Sequence, residues 1–256
     1  MIPRLFTIGP IPVNSFGLMV ALAIIATIFR LAQSFERAGI DPMLAEKYAL
    51  WGGMVGLLGA RVWYILENFQ VLRSDIFGAI FSGSGFTFYG GFIFSFCLLV
   101  TFSIRDKIGA ARFLDAIGPA LCLAYAIGRL GCQLSGDGDY GVQTTSIFGM
   151  SYETGVVPTP HGILAYPSPF FESALALIVL AVLTRIEQHK LLQKPFSRFG
   201  AYLAMMGIER FMVEFLRINP KIIFGLSEAQ VIALCLIAAG VILLIRPVTN
   251  VKMAGA

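Results

Sequence analysis

Residues 126–141 read AIGRLGCQLSGDGDYG, and within this stretch an apolar helix gives way to a polar loop. Its first part places Arg129 at the end of the apolar run, where a guanidinium would lie at membrane depth. A charge inside the bilayer is costly, so it usually faces a polar cavity or a partner. The glycines beside Arg129 indicate irregular backbone, which cannot face lipid. We therefore predict a polar, anion-binding site here, near one face of a membrane.

The composition of the 256-residue chain is that of a membrane protein. Hydrophobic residues make up 57% and charged residues 13%, and the mean hydropathy is +0.80, whereas soluble domains are about 45–50% apolar and about 25% charged. Seven apolar runs are long enough to span a bilayer. They lie near residues 15–35, 48–66, 88–104, 113–130, 168–186, 199–216 and 228–245. We predict an all-α integral membrane protein that forms one seven-span domain over residues 1–256.

Lysines and arginines between the runs predict the orientation. With the N-terminus outside, the inner segments contain twelve basic residues and the outer segments three. The positive-inside rule then places the C-terminus in the cytoplasm. The longest connection, residues 131–167, contains no lysine or arginine and lies outside, as does the glycine-rich segment 82–91. Basic residues form no patch outside the short loops, so we predict no nucleic-acid binding. We expect the functional site on the outer face.

Four arginines fall within or at the edge of the predicted spans. They are Arg61, Arg129, Arg210 and Arg217. Glu214 shares a helix face with Arg210 and Arg217 because the spacings are four and three residues. One interpretation is that such charges only pair with each other, or that Arg217 extends to the headgroups. For Arg129 and Arg210 we favour bidentate capture of a phosphate, which at this depth belongs most simply to a phospholipid.

Cysteine and histidine spacings give no sign of a metal or cofactor. The chain has four cysteines and two histidines, without CxxC spacing and without two ligands on one helix face. We predict no metal and no cofactor. Cys132 is the one cysteine within the central stretch, and we expect it to be a packing residue, with a decoy nucleophile as the alternative.

The chain resembles the prolipoprotein diacylglyceryl transferase family, and the resemblance extends over nearly its whole length. The matching segments are IGP at 8–10, FGLM at 16–19, GARVWY at 59–64, FYGG at 88–91, GRLG at 128–131, YPS at 166–168 and RFMVEFLR at 210–217. Their order and spacing are more specific than any one of them. Four residues of the central stretch differ from the family signature. They are Cys132, Gln133, Ser135 and Asp137. Tyr89 stands where many members have a histidine proposed to act in catalysis.

The resemblance implies a fold, a location and a reaction. We expect a seven-span bundle in the bacterial cytoplasmic (inner) membrane that functions in lipoprotein biosynthesis. It would transfer the diacylglyceryl group of phosphatidylglycerol to the lipobox cysteine thiol of a prolipoprotein and release glycerol 1-phosphate. In the family, the arginines that match Arg129 and Arg210 are held to be essential.

The chemistry of this reaction assigns roles to the candidate residues. The arginines would stabilise charge growing on the phosphate, and Asp137, Glu172 or Glu214 would accept the thiol proton. The predicted catalytic residues are Arg129, Arg210, Tyr89, Asp137 and Glu214. The predicted substrate-binding residues are Arg61, Gly90, Gly91, Gly128, Gly131, Cys132, Ser135, Glu172 and Arg217.

Two other classes of function remain open at this stage. A transferase-derived lipid-binding protein, or a transferase with another acceptor, would explain the altered signature residues. An anion or lipid transporter would also place arginines within the membrane. The sequence contains no internal repeat, although such repeats are common in transporters.

Overall fold

The computed structural model describes residues 1–9, 11–68 and 87–246. Pro10, which belongs to one matching segment, and residues 82–86 of the glycine-rich segment lie outside the described residues. The helices of the described part are α1 (Ser15–Arg37), α2 (Leu44–Glu67), α3 (Phe88–Arg105), α4 (Ala110–Ser135), α5 (Ser168–Gln188), α6 (Ser197–Val213) and α7 (Glu228–Ile245). Each of them overlaps one of the predicted apolar runs.

Five helices, namely α1, α2, α4, α5 and α7, are long and apolar enough to cross a membrane. In α3, the apolar helical part Tyr89–Arg105 is shorter, and α6 has 17 residues before a 3-10 turn at Glu214–Leu216. The protein is thus a mostly helical, multi-pass membrane protein, as its composition predicts.

Three short antiparallel hairpins lie at one end of the bundle, one before α1 and two in connections between helices. The strand pairs are β1 (Arg4–Ile8) with β2 (Ile11–Asn14), β3 (Met150–Ser151) with β4 (Leu164–Ala165), and β5 (Lys221–Ile223) with β6 (Leu226–Ser227). The apolar pattern does not predict them, because strands of two to five residues carry little periodicity. Backbone hydrogen bonds from Ile2 to Leu134 and from Val142 to Leu216 hold these segments together at that end, which we call the loop face.

The central helix α4 continues to Ser135, five residues beyond its predicted end. The expectation that the glycines beside Arg129 break the helix is therefore wrong, and the connection begins at Gly136, which is left-handed with φ +60°. A glycine inside a helix costs only about 1 kcal/mol. Gly131 packs on α1, where an added Cβ would meet Met19 Cβ at 3.0 Å, so close helix packing offsets this cost.

The helices pack around α4, which contacts α1, α5 and α6, while α2 packs on α3 and α6 on α7. Two ion pairs join α1 to α5 at the end opposite the loop face. There the buried Glu187 carboxylate accepts from Arg30 at 2.8 Å and Arg37 at 2.6 Å. Charged groups thus connect two helices at the end of the bundle opposite the loop face.

Candidate functional site

Three arginines and three carboxylates meet where α4, α5 and α6 reach the loop face. We call this group the arginine cluster, and its members are Arg129, Asp139, Glu172, Arg210, Glu214 and Arg217. Each helix contributes a residue near its end on the loop face, so the cluster depends on how the three helices pack. The formal charges of the cluster sum to zero.

Glu172 is the centre of the arginine cluster. Its side chain is fully buried, and Oε1 accepts from Arg210 Nη1 at 2.7 Å and from Arg217 Nη1 at 3.1 Å. Oε2 accepts from the Tyr125 hydroxyl at 3.0 Å and pairs with Arg129 Nε. Charge-assisted hydrogen bonds of this kind are shorter and stronger than those between neutral groups. Glu172 is therefore a counter-ion shared by three guanidiniums.

Glu214 anchors the other side of Arg210. Its Oε2 lies 2.9 Å from Arg210 Nη2, and its Oε1 accepts from Asn219 Nδ2 at 2.6 Å and from Ser227 Oγ at 2.7 Å. Ser227 also caps α7, since its hydroxyl accepts from the backbone N–H of Gln230. The carboxylate is buried, with two donors on Oε1 and the Arg210 guanidinium beside Oε2, so that it too is held as a counter-ion.

Asp139 closes the cluster from the connection between α4 and α5. Arg217 Nη2 donates to its Oδ1 at 2.5 Å, and Arg129 pairs with its Oδ2. Burial acts to raise the pKa of Asp139, but the charges of the two arginines outweigh burial and hold that pKa below its usual value. Asp139 therefore stays ionised throughout the neutral range.

Asp137 lies beside the cluster, and its pKa is shifted in the opposite direction from that of Asp139. Burial raises the pKa of Asp137, and this outweighs the hydrogen bond from the Cys132 thiol, which acts to lower it. One ligand-type atom from each of Cys132, Asp137 and Asp139 lies within 4.8 Å of the others. Because two guanidiniums already bind Asp139, we do not assign these three residues as a cation site.

Two of the remaining predicted side chains lie on α2 and α3. Arg61 is buried in α2 with its guanidinium carbon 5.6 Å from the ring centroid of Tyr64, and it is not among the described partners of Glu172. The Tyr89 hydroxyl donates to Glu228 Oε1 at 2.8 Å. Ser135 ends α4, where its hydroxyl donates to the Cys132 carbonyl at 3.1 Å.

The predicted glycines serve helix packing and an apolar cavity. An added Cβ at Gly90 would lie 2.2 Å from Trp63 Cβ, and one at Gly91 would lie 2.9 Å from the Gly56 carbonyl oxygen, so these two glycines bring α3 close to α2. Gly128 instead has no heavy atom within 4 Å of a built Cβ, because it faces the cavity.

That apolar cavity has a volume of about 450 Å³ and lies between α1, α2, α3 and α4. Its lining includes Gly91 and Gly128, and the neighbour of Gly128 in the chain is Arg129. Leu57 and Phe92 also line it and are 50% and 57% exposed, so the cavity opens on the outer surface of the bundle. An apolar chain entering from the bilayer could thus reach the neighbourhood of the arginine cluster.

The sequence interpretation did not assign four residues that contact the cluster carboxylates or arginines. They are Tyr125, Asp139, Asn219 and Ser227. Tyr125 is four residues before Arg129, so helical spacing could have identified it. Asp139 follows in the same stretch. Nothing in the local sequence distinguishes Asn219 and Ser227, because only the β5–β6 hairpin brings them to Glu214.

Comparison with known proteins places the chain among transferases. The profile of the family described as prolipoprotein diacylglyceryl transferase matches residues 3–246. A phosphatidylglycerol–prolipoprotein diacylglyceryl transferase of Leptospira interrogans is 26% identical, over 84% of this chain and 74% of the relative. A relative of the same name from Dehalococcoides mccartyi is 28% identical, over 95% and 92%. Phosphatidylglycerol–prolipoprotein diacylglyceryl transferase 2 of Clostridium perfringens is 31% identical, over 90% of both chains.

Proposed function

The chain belongs to the prolipoprotein diacylglyceryl transferase family, and on this premise we propose that it transfers the diacylglyceryl group of phosphatidylglycerol to the lipobox cysteine thiol of prolipoproteins. Glycerol 1-phosphate is the leaving group. One observation supports this most strongly, namely a cluster of three guanidiniums in which Arg129 directly follows Gly128, a lining residue of an apolar cavity that opens on the outer surface of the bundle. The guanidiniums suit a lipid phosphate, and the cavity suits an acyl chain.

Phosphate binding requires the cluster to exchange partners. A phosphodiester carries one negative charge, whereas the cluster is already neutral, so the lipid phosphate replaces a carboxylate on Arg129 or Arg210. Each guanidinium offers five N–H donors in a planar fork, which lets it bind a phosphate and retain part of its old contact. The carboxylates thus hold the arginines in place until the lipid arrives.

The arginines then act on the transition state. The sulfur attacks the glycerol carbon that bears the phosphoester, the C–O bond breaks, and its electron pair remains on the phosphate as a second negative charge. Donors already positioned where this charge develops stabilise it. Arg129 and Arg210 take this role and Arg217 supports them, since guanidiniums stay charged even when partly desolvated.

We also propose seven spans, with the N-terminus and the loop face outside a bacterial cytoplasmic membrane. The distribution of lysine and arginine supports this orientation. Cysteine labelling in intact cells tests it, in a background where the native cysteines are replaced by alanine. Glu153→Cys should react with a membrane-impermeant maleimide, and Gln193→Cys should react only after permeabilisation. The reverse pattern would contradict the proposal.

The activity itself is tested with purified protein, labelled phosphatidylglycerol and a lipobox peptide. We expect the peptide to acquire thioether-linked diacylglycerol, and a peptide with serine in place of the lipobox cysteine to remain unmodified. Lipid binding without transfer would instead indicate a lipid-binding protein. Lipid or phosphate flux across liposomes without transfer would indicate a transporter.

A further inference from the structure

A second cavity lies on the loop face, between the start of α3 and the start of α7. Its volume is about 250 Å³, and its lining includes Tyr89, Asn219, Ser227 and Glu228. The lining is rich in polar side chains, in contrast to the apolar cavity between α1 and α4. Neither the phosphate nor the acyl chains of the proposed reaction account for it.

The cavity is next to the arginine cluster. Asn219 and Ser227 line it, and both donate to Glu214 Oε1, whose carboxylate pairs with Arg210 through the other oxygen. The side chains of Asn219 and Ser227, followed by the Glu214 carboxylate, therefore connect the cavity to a guanidinium that would hold the lipid phosphate. A thiol that attacks the adjacent glycerol carbon would have to deliver its proton in this neighbourhood.

The carboxylates of the cluster are poorly suited to accept that proton. Glu172 accepts from three arginines and a tyrosine, and Glu214 contacts Arg210, Asn219 and Ser227. Each such contact occupies a carboxylate oxygen that would otherwise be open to the thiol proton. An effective base has to lie close to the cluster without being saturated by its guanidiniums.

Asp137 beside the cluster meets this requirement, and so does Glu228, which in addition contacts a residue predicted to be catalytic. Glu228 is exposed at the start of α7, and its Oε1 accepts the Tyr89 hydroxyl at 2.8 Å across the gap between α3 and α7. The preceding residue, Ser227, forms a reciprocal capping box with Gln230. This cap fixes the first turn of α7 and with it the backbone of Glu228, so that Tyr89 and Glu228 form a defined pair.

We propose that Glu228 acts through Tyr89 as the acceptor of the thiol proton. As the S–C bond forms and the C–O bond breaks, the thiol proton passes to the Tyr89 oxygen while the hydroxyl proton of Tyr89 passes to Glu228 Oε1. Glu228 then releases that proton to water. The inference rests on the proposed transferase function. In this proposal Tyr89 is the catalytic residue, and Glu228 is the residue that positions the Tyr89 hydroxyl and accepts its proton.

The test is a double-mutant cycle in the transfer assay. Because general base catalysis contributes about 10²–10⁴-fold, we expect Glu228→Gln and Tyr89→Phe each to lower kcat at least tenfold while leaving the KM for phosphatidylglycerol nearly unchanged. In a Tyr89→His background the imidazole accepts the proton itself. There, adding Glu228→Gln should change kcat by less than about threefold, since the coupling between the two residues is lost.

Glu153→Gln is the matched control, because it removes another carboxylate of the loop face that hydrogen-bonds Gly162 and lies away from the cavity. An unchanged kcat in Glu228→Gln would overturn the inference, as would equal losses in the tyrosine and histidine backgrounds. A raised KM with normal kcat would also overturn it and identify the cavity as a headgroup site. An inactive wild-type protein would refute the transferase function instead.

Discussion

At the scale of single residues, the site is defined by competition for three guanidiniums. In the structure they bind Asp139, Glu172 and Glu214, and in the proposed reaction they bind a phosphate. Arginine suits this exchange because it keeps its charge and offers more donors than one carboxylate can use. The carboxylates therefore stabilise the three arginines in the fold, and they also fix the positions in which the guanidiniums would bind the lipid phosphate.

Glu172→Gln should be strongly destabilising. The change removes the counter-charge that three arginines share inside the protein, and breaking a buried ion pair costs about 3–5 kcal/mol. Thermal unfolding in detergent measures the effect, with Glu36→Gln on the exposed face of α1 as the control. Equal unfolding midpoints for the two variants would show that Glu172 is not the counter-ion of the cluster.

Asp137 and Asp139 should respond to substitution in opposite directions at pH 7. The lowered pKa of Asp139 means that its ionised form stabilises the fold above the usual carboxyl range, so Asp139→Asn should cost about 1–3 kcal/mol. The raised pKa of Asp137 means that its ionised form is unfavourable in the folded state, so Asp137→Asn should be neutral or stabilising.

The pH dependence of unfolding checks this pair. As the pH falls towards about 4, the usual pKa of an aspartate, wild-type Asp137 takes up its proton and the advantage of Asp137→Asn should disappear. The stabilisation from Asp139 is lost only at lower pH, as the pH falls through its lowered pKa. A stability loss of the same size in both variants at pH 7 would contradict the assignment.

At the scale of elements, the length of the apolar runs was sufficient to locate every α-helix of the described chain. The end of α4 lies beyond its predicted position because glycine disfavours a helix only weakly, and Gly131 packs closely on α1. The arginines were identified from their position in apolar runs. Their partners could not all be identified, because Asn219 and Ser227 reach Glu214 only through the β5–β6 hairpin.

Gly90→Ala and Gly128→Ala separate helix packing from substrate binding. The added methyl group at Gly90 would meet Trp63 Cβ at 2.2 Å, whereas that at Gly128 would meet nothing within 4 Å. Overpacking costs about 1–3 kcal/mol, so Gly90→Ala should lower the unfolding midpoint and Gly128→Ala should not. If Gly90→Ala left the midpoint intact and raised only the KM for lipid, the substrate-binding role would be the correct one.

At the scale of the whole molecule, the bundle brings an apolar cavity to one side of the arginine cluster and a polar cavity to another. Helix α4 contributes to both the apolar cavity and the cluster, through Gly128 and Arg129. This arrangement suits an amphiphilic lipid, whose acyl chains and phosphate need different surroundings a short distance apart. Acyl length should therefore affect binding independently of the chemical step.

Ala124→Phe should fill part of the apolar cavity, which Ala124 lines. We expect the KM for long-chain phosphatidylglycerol to rise about tenfold or more, the equivalent of at least 1.4 kcal/mol, while the KM for a short-chain analogue changes little. Leu177→Phe, on an exposed part of α5, is the control. An equal rise in KM for both lipids would show that the cavity does not hold acyl chains.

The most direct measurement is the rate of diacylglyceryl transfer from phosphatidylglycerol to a lipobox peptide in Arg129→Lys and Arg210→Lys. Lysine keeps the charge but loses the planar fork, and removing a donor from a developing anion typically costs about 10²–10³ in kcat. We expect losses of that order with the fold intact, and near-normal transfer in Arg37→Lys, whose arginine pairs with Glu187 at the opposite end of the bundle. Wild-type rates in Arg129→Lys and Arg210→Lys would contradict phosphate recognition by the arginine cluster.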